Sequence, residues 1–275
     1  MLAHLVTPGS KVKLSDYDTR ANAGLDKDQG EALLAPLARQ IDDLQELLYA
    51  ADMHSLLVIL QGMDTSGKDG TVRAVFRDVS PLGSHVTAFK VPNEEELAHD
   101  FLWRVHRAAP RRGQIAIFNR SHYEDVLVVR VHSLVSESIW RQRYQQINDF
   151  ERLLAENKTI ILKFFLHISK EEQEERLIAR EQDVTKAWKL AVGDWKERER
   201  WDEYMHAYED VLKRCSSEHA PWHIVPADRK WYRNIAVAQA IINELKPYKE
   251  QWLAKLVSVG AEAKAELAAY RAEQA

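Results

Sequence analysis

Cysteine is almost absent from this chain of 275 residues, where Cys215 stands alone. One thiol closes no intrachain disulfide and builds no thiolate zinc site, so a small disulfide scaffold is excluded and a reducing compartment is expected. The 10 glycines and 8 prolines are scattered, with no internal repeat and no low-complexity linker, which leaves one domain with appendages as the simplest organisation. No apolar run approaches the roughly 20 residues that span a bilayer. The longest, such as Ser55 to Leu60, have strand length. Met1 to Ser10 lacks a basic region followed by a long apolar core, so secretion is not signalled and a cytoplasmic protein without a membrane partner is expected. A dominant charge is lacking as well: 38 basic against 42 acidic residues give a net charge of −4, which argues against sequence-blind binding of nucleic acid. A polyanionic partner needs a locally basic groove.

What is present suits a core with a charged surface, at 45% hydrophobic and 29% charged residues. Leu33, Leu37, Ile41, Leu44 and Leu48 recur at steps of three and four, the stripe of an amphipathic helix over 31–51 behind an N-terminal extension of about 1–30. Ser55–Gln61 is a continuous apolar run ending at glycine, as in a parallel strand covered on both faces. Similar short runs at His85–Phe89, Gln114–Phe118, Thr159–Leu166 and Trp222–Val225 alternate with helical segments, so an α/β fold with a parallel sheet is predicted. Asn93 with Glu96, and Ser169 with Glu172, have capping-box spacing and open helices. The charged stretch Glu181–Trp201 has no strand pattern and reads as part of a helical lid over about 169–201. The Ala- and Glu-rich tail, about 249–275, is predicted to be a helix suited to packing on a partner subunit.

Gly62-Met63-Asp64-Thr65-Ser66-Gly67-Lys68-Asp69-Gly70 follows the first buried strand and precedes a helix, the context in which G-x-x-x-x-G-K is informative. Backbone N–H groups of Gly62, Thr65, Ser66, Gly67 and Gly70 at a helix start form an anion nest, and Lys68 adds a point charge for phosphate oxygens. Asp69 replaces the usual hydroxyl after the lysine and reads as a first-turn helix acid favoured by the dipole. Asp64 intrudes into the loop, where a carboxylate facing phosphates is repulsive unless a cation intervenes. It is therefore assigned as a magnesium ligand, direct or through water, that also orients the accepting phosphate.

The strand Gln114–Phe118 runs into Asn119, Arg120, Ser121, His122, Tyr123, Glu124 and Asp125, a polar cluster at a strand's carboxyl end where α/β sheets place active sites. Asn119 stands where many P-loop enzymes carry a metal-binding aspartate, which leaves the cation to Asp64, to water, or to Glu124 and Asp125. Arg120 can grip phosphate bidentately, or pair with Glu124 one turn on. No acidic residue occurs from Phe101 to Tyr123, whereas Arg104, Arg107, Arg111 and Arg112 do, a candidate track for a phosphate chain. Arg104 has Asp100 as its competing partner. Arg176 and Arg180 lie four residues apart on one helix face, where like charges repel unless they share an anion, so phosphoryl transfer under a lid explains the pair better than Glu172–Arg176 pairing alone. Trp188, Trp195, Trp201, Tyr204 and Tyr208 near the lid could stack on a base, but spacing such as that of Trp201, Tyr204 and Tyr208 is more often helix packing, and they are left out of the site.

GMDTSGKDG, FNRSHYEDVL, HISKEEQEERLIARE, KAWKL and APWHIVPADRKWYRN together resemble polyphosphate kinase family 2 from roughly Lys11 to Leu245. The resemblance implies a single P-loop NTPase-type domain over 1–275, a thymidylate-kinase-like three-layer α/β/α sandwich with a central parallel sheet and a helical lid. It implies transfer of the terminal phosphate of inorganic polyphosphate to ADP or AMP, forming ATP from ADP, with magnesium or manganese as cofactor and a homo-oligomer, dimer or tetramer, as the assembly. Carried onto matching positions, Asp64 and Lys68 serve the loop, Asn119 and Arg120 the second motif, and Arg176 and Arg180 the lid. Asn119 departs from the family's aspartate, and Glu124-Asp125 looks like the subgroup that accepts both AMP and ADP. An ATP-dependent nucleoside or nucleotide kinase and a non-catalytic nucleotide- or polyphosphate-binding protein are the alternatives.

Overall fold

Six strands form one sheet in the computed structural model, which describes residues 2–189 and 191–274. Met1, Leu190 at the end of KAWKL, and Ala275, all within the expected 1–275 domain, lie outside the described residues. The strands are β1 (His4–Val6), β2 (Ser55–Gln61), β3 (Ser84–Ala88), β4 (Ile115–Asn119), β5 (Thr159–His167) and β6 (Trp222–Pro226), in the order β1-β6-β5-β2-β4-β3. β2 through β6 are parallel and match the five apolar runs within a residue or two. β2 pairs with β4 on one side and β5 on the other and is buried at every position, which is why its sequence is apolar without alternation. β1 is a sixth strand that no apolar run marks. It lies antiparallel on β6, with His4 opposite Ile224, and its three residues are too few to carry a period.

α1 (Lys27–Ala51) begins earlier than its leucine stripe, because Asp26 and Gln29 form a reciprocal capping box at 2.8 and 3.0 Å. Leu37, Ile41, Leu44 and Leu48 are buried, but Leu33 is exposed. The stripe continues instead through Leu34, one turn before Leu37. Each such burial contributes about 1.5–3 kcal/mol. α1 packs with α2 (Lys68–Val75), α10 (Lys230–Leu245) and the start of α11 (Lys249–Glu273) on one side of the sheet. α5 (Val128–Val131), α6 (Glu137–Glu156) and α9 (Trp201–Arg214) pack on the other. The result is the predicted α/β/α layering.

Between β3 and β4 lie α3 (Glu94–Leu97), opened by the full Asn93–Glu96 box, and α4 (Trp103–Arg107). The segment expected as the lid holds α7 (Lys170–Gln182) and α8 (Val192–Glu199). Ser169 caps α7 through Glu172 N at 3.1 Å, but the box is only half made. Asp228 accepts the Ser169 N–H at 2.8 Å, and Glu172 turns to Arg176 instead. α11 is the predicted tail helix. Trp252 is its one buried residue, and it donates to His54 at 3.1 Å. No helix among the described residues is long and apolar enough to cross a membrane.

Candidate active site

Parallel strands bring their carboxyl ends to one edge of the sheet, and β2 and β4 end there in the two polar segments. Leu60 is in register with Asn119, and Arg120 N donates to Leu60 O at 3.2 Å, so the phosphate loop and the Asn119–Asp125 segment are neighbours. Gly62 has φ 153° and would bring a Cβ to 2.7 Å from Leu166 O. Gly67, the N-cap of α2, has φ 99° and would drive a Cβ to 1.7 Å from the Arg233 guanidinium. Thr65 and Arg120, both at φ 63°, are non-glycine residues held left-handed, a conformation that surrounding contacts must enforce. Thr65 Oγ1 and Ser66 Oγ are buried without a hydrogen-bond partner among the described residues, at the point where an anion would meet the helix start.

Lys68 is buried, and its ammonium donates to Gly62 O at 2.7 Å and Met63 O at 3.1 Å. Burial and then the Arg120 charge push its pKa down to about 8, against the pull of Asp64, Glu124 and Asp69. Arg120 forms ion pairs with Asp64 and, at 3.6 Å, with Glu124. Burial alone lowers the guanidinium, but Glu124 and Asp64 together hold it above its ordinary value. Asn119 donates its amide to Asp69 Oδ1 at 2.7 Å, tying the strand end to the first turn of α2. Gln173 of α7, unnoticed in the sequence, donates to Asp64 O at 3.2 Å.

Among the described residues no group of three or more His, Cys, Asp or Glu side chains is placed to hold a metal ion. Magnesium bound mainly through phosphate oxygens and water needs only one or two carboxylates. Asp64 and Glu124, on either side of Arg120, are hard oxygen donors and fit that mode.

Several residues assigned from sequence are placed elsewhere. Tyr123 is fully buried, accepting from Lys163 at 2.9 Å and donating to Glu151 at 2.8 Å, so it belongs to a core network rather than to a nucleotide site. Lys163, between Glu151 at 2.5 Å and Cys215 O, completes that network with His122. Asp125 faces α6, pairing with Arg143 at 2.7 Å, and burial raises it to about 6 against the pull of Arg143 and Arg104.

The basic track is divided. Arg104 pairs with Glu96 at 3.4 Å and Lys90 O at 2.8 Å, not with Asp100, which caps Leu102 N. Arg107 stacks on Trp103 at 4.6 Å. Arg111 and Arg112 precede β4, where Gly113 N meets His54 O at 2.8 Å, at the opposite end of the strands from the loop. Arg180 bonds Asp194 of α8 at 2.7 Å.

Arg176 does not face an open anion. It donates to Glu172 at 2.8 Å, to Thr65 O and Ser66 O at 2.9 and 3.2 Å, and to Ala227 O and Asp228 O at 2.7 and 2.9 Å. It brackets the back of the phosphate loop against the segment after β6. Glu172–Arg176 pairing, set second in the sequence reading, is therefore real and is one arm of this bracket. Trp201, Tyr204 and Tyr208 are buried in α9, as helix packing predicts.

A glycine-bounded loop between a buried parallel strand and a helix, with Lys68 inside it and Arg120 at the adjoining strand end, defines a P-loop phosphotransferase of kinase type. The family model for Polyphosphate kinase 2 (PPK2) matches residues 24–252, and the chain belongs to that family. It is 48% identical over 254 residues to the AMP/ADP-polyphosphate phosphotransferase of Meiothermus ruber, across 92% of this chain and 95% of that protein. To the ADP-polyphosphate phosphotransferase of Rhodopseudomonas palustris it is 43% identical over 257 residues, 89% of each. The crystal structure of polyphosphate kinase 2 from Arthrobacter aurescens TC1 superimposes with a TM-score of 0.84 at 43% identity, covering 89% of this chain and 91% of that one.

Proposed function

We propose that the protein transfers the terminal phosphate of inorganic polyphosphate to ADP, forming ATP, and to AMP, forming ADP, with Mg²⁺ or Mn²⁺ as its cofactor. The observation that carries this reading is the meeting of Lys68, Arg120 and Asp64 at the mouth of the glycine-bounded loop. A nucleotide phosphate oxygen attacks the terminal phosphorus in line, forming one P–O bond as the bond to the next phosphate breaks, with no covalent enzyme intermediate. Two unit charges about 4 Å apart repel by roughly 4 kcal/mol at an effective dielectric of 20, so the approach of two polyanions requires cations between them. Lys68 and Arg120 supply fixed positive charge. A divalent ion beside Asp64 and Glu124 would neutralise phosphate oxygens as a Lewis acid. α7 and α8 form the lid in this reading, with Arg180, bonded to Asp194, as an arginine it carries. The similarity to an AMP/ADP-polyphosphate phosphotransferase supports acceptance of AMP. A cytoplasmic homo-oligomer, dimer or tetramer, completes the proposal.

Purified protein given Mg²⁺, ADP and polyphosphate is expected to form ATP, and Lys68→Ala to lower the rate by at least about 100-fold without unfolding the chain. Consumption of ATP with a nucleoside, and none of polyphosphate, would instead identify an ATP-dependent kinase. No turnover above the Lys68→Ala background would leave a binding protein.

A further inference from the structure

Arg233 lies in the first turns of α10, directly beneath the phosphate loop, and is only 3% exposed. Its Nη1 donates to Ser66 O at 3.2 Å, while Nε and Nη2 share Asn234 Oδ1 at 3.2 and 2.9 Å. The guanidinium presses against Gly67 and Gly70, where an added Cβ would lie 1.7 and 3.3 Å from its nitrogens. Arg176 reaches the same Ser66 carbonyl from the other side. Arg176 has Glu172 as counter-ion. Arg233 has no carboxylate within ion-pair distance among the described residues, and burial followed by the Arg176 charge lowers it to about 9.

A buried guanidinium without a carboxylate is costly, and a neutral side chain of similar volume would fill the space more cheaply. Its placement one peptide unit behind an anion nest gives that charge a use. We propose that Arg233 is a positioning residue for the phosphate donor: it holds the Ser66 carbonyl inward and sets a fixed positive charge behind the loop that an entering polyanion neutralises. Because the Ser66–Gly67 peptide is planar and trans, a carbonyl held inward turns the Gly67 N–H to the opposite side. The same packing explains why Gly67 admits no side chain. The charge acts across a dry, low-dielectric layer and is therefore felt more strongly than a surface lysine.

The proposal rests on the phosphate-transfer reading of this loop, and kinetics separate the two. Wild-type protein, Arg233→Met, Arg233→Lys and Asn234→Ala are compared with polyphosphate and ADP varied in turn, alongside thermal unfolding with and without polyphosphate. Arg233→Met is expected to raise the polyphosphate KM about tenfold or more, to leave the ADP KM within about threefold, and to lose the stabilisation that polyphosphate gives the wild type. Arg233→Lys restores part of the polyphosphate KM because it keeps the charge. Asn234→Ala, which frees the guanidinium without removing it, shifts the same KM less and decides the matter if Arg233→Met does not fold. An unchanged polyphosphate KM in the folded variants, or equal changes in both KM values, overturns the assignment. Wild-type protein that makes no ATP removes the underlying reading instead.

Discussion

Replacing Arg176 by methionine distinguishes a bracket from an anion clamp, because the two roles place the loss in different observables. The side chain is 9% exposed, and its guanidinium serves four backbone carbonyls, two in the phosphate loop and two after β6, as well as Glu172. Methionine keeps most of the volume and none of the donors. Each buried carbonyl left unpaired costs about 1–3 kcal/mol, and water reaching some of them limits the total to about 3–5 kcal/mol, the range for breaking a buried ion pair. At roughly 2–4 °C per kcal/mol for a domain of this size, Tm should fall by about 6–20 °C. Arg176→Lys recovers little of this, since one ammonium cannot span both walls. Thermal unfolding followed by far-ultraviolet circular dichroism gives the stability, and steady-state ATP formation at a temperature where both proteins are folded gives the activity. An Arg176→Met protein that melts within about 2 °C of the wild type while kcat collapses would show that this arginine acts on substrate, and the bracket would be wrong.

Three further outcomes follow from the charges. Lys68, held at about 8 when folded against 10.5 ordinarily, binds fewer protons than in the unfolded chain between those values, so ligand-free stability should rise with pH across that window. Polyphosphate affinity should fall across the same window as the amine loses its charge; melts and KM values from pH 7 to 10 test both, and a flat polyphosphate KM contradicts the assignment. Lys163→Met strands Glu151 in the core and should cost about 3–5 kcal/mol in chemical denaturation with the polyphosphate KM unchanged. Adding Glu151→Leu to Lys163→Met should recover part of that loss, and a double variant less stable than the single one would refute the pairing.

The elements that sequence disclosed were those whose signal is periodic or continuous. β2 and β5 are buried at every residue, and their apolar runs say so. The loop was legible because its geometry demands glycine at Gly62 and Gly67 wherever it occurs. What remained hidden depended on partners distant in the chain. Arg176 reads as a lid cation until Thr65, Ser66, Ala227 and Asp228 are seen to surround it. Tyr123 sits between site residues in sequence, yet its side chain points into the core toward Glu151 and Lys163. Arg111 and Arg112 share a basic stretch with Arg120 but lie before the strand that Arg120 follows. Arg233 stood inside the quoted WYRN stretch with no local pattern to mark it, because its meaning comes from Ser66, far away in the chain.

The short antiparallel strand β1 has a consequence for how the molecule is made. Val6 pairs with Trp222, more than two hundred residues further along the chain, so β1 has to wait for β6 to be made. At 5–20 residues per second that interval is about 10–40 s, during which the His4–Val6 edge has no mate and the sheet is unfinished on the β6 side. Residues 4–6 are thus a latch fastened only once Trp222–Ile224 has emerged, and nascent chains stalled before Trp222 should remain open to proteolysis at that end.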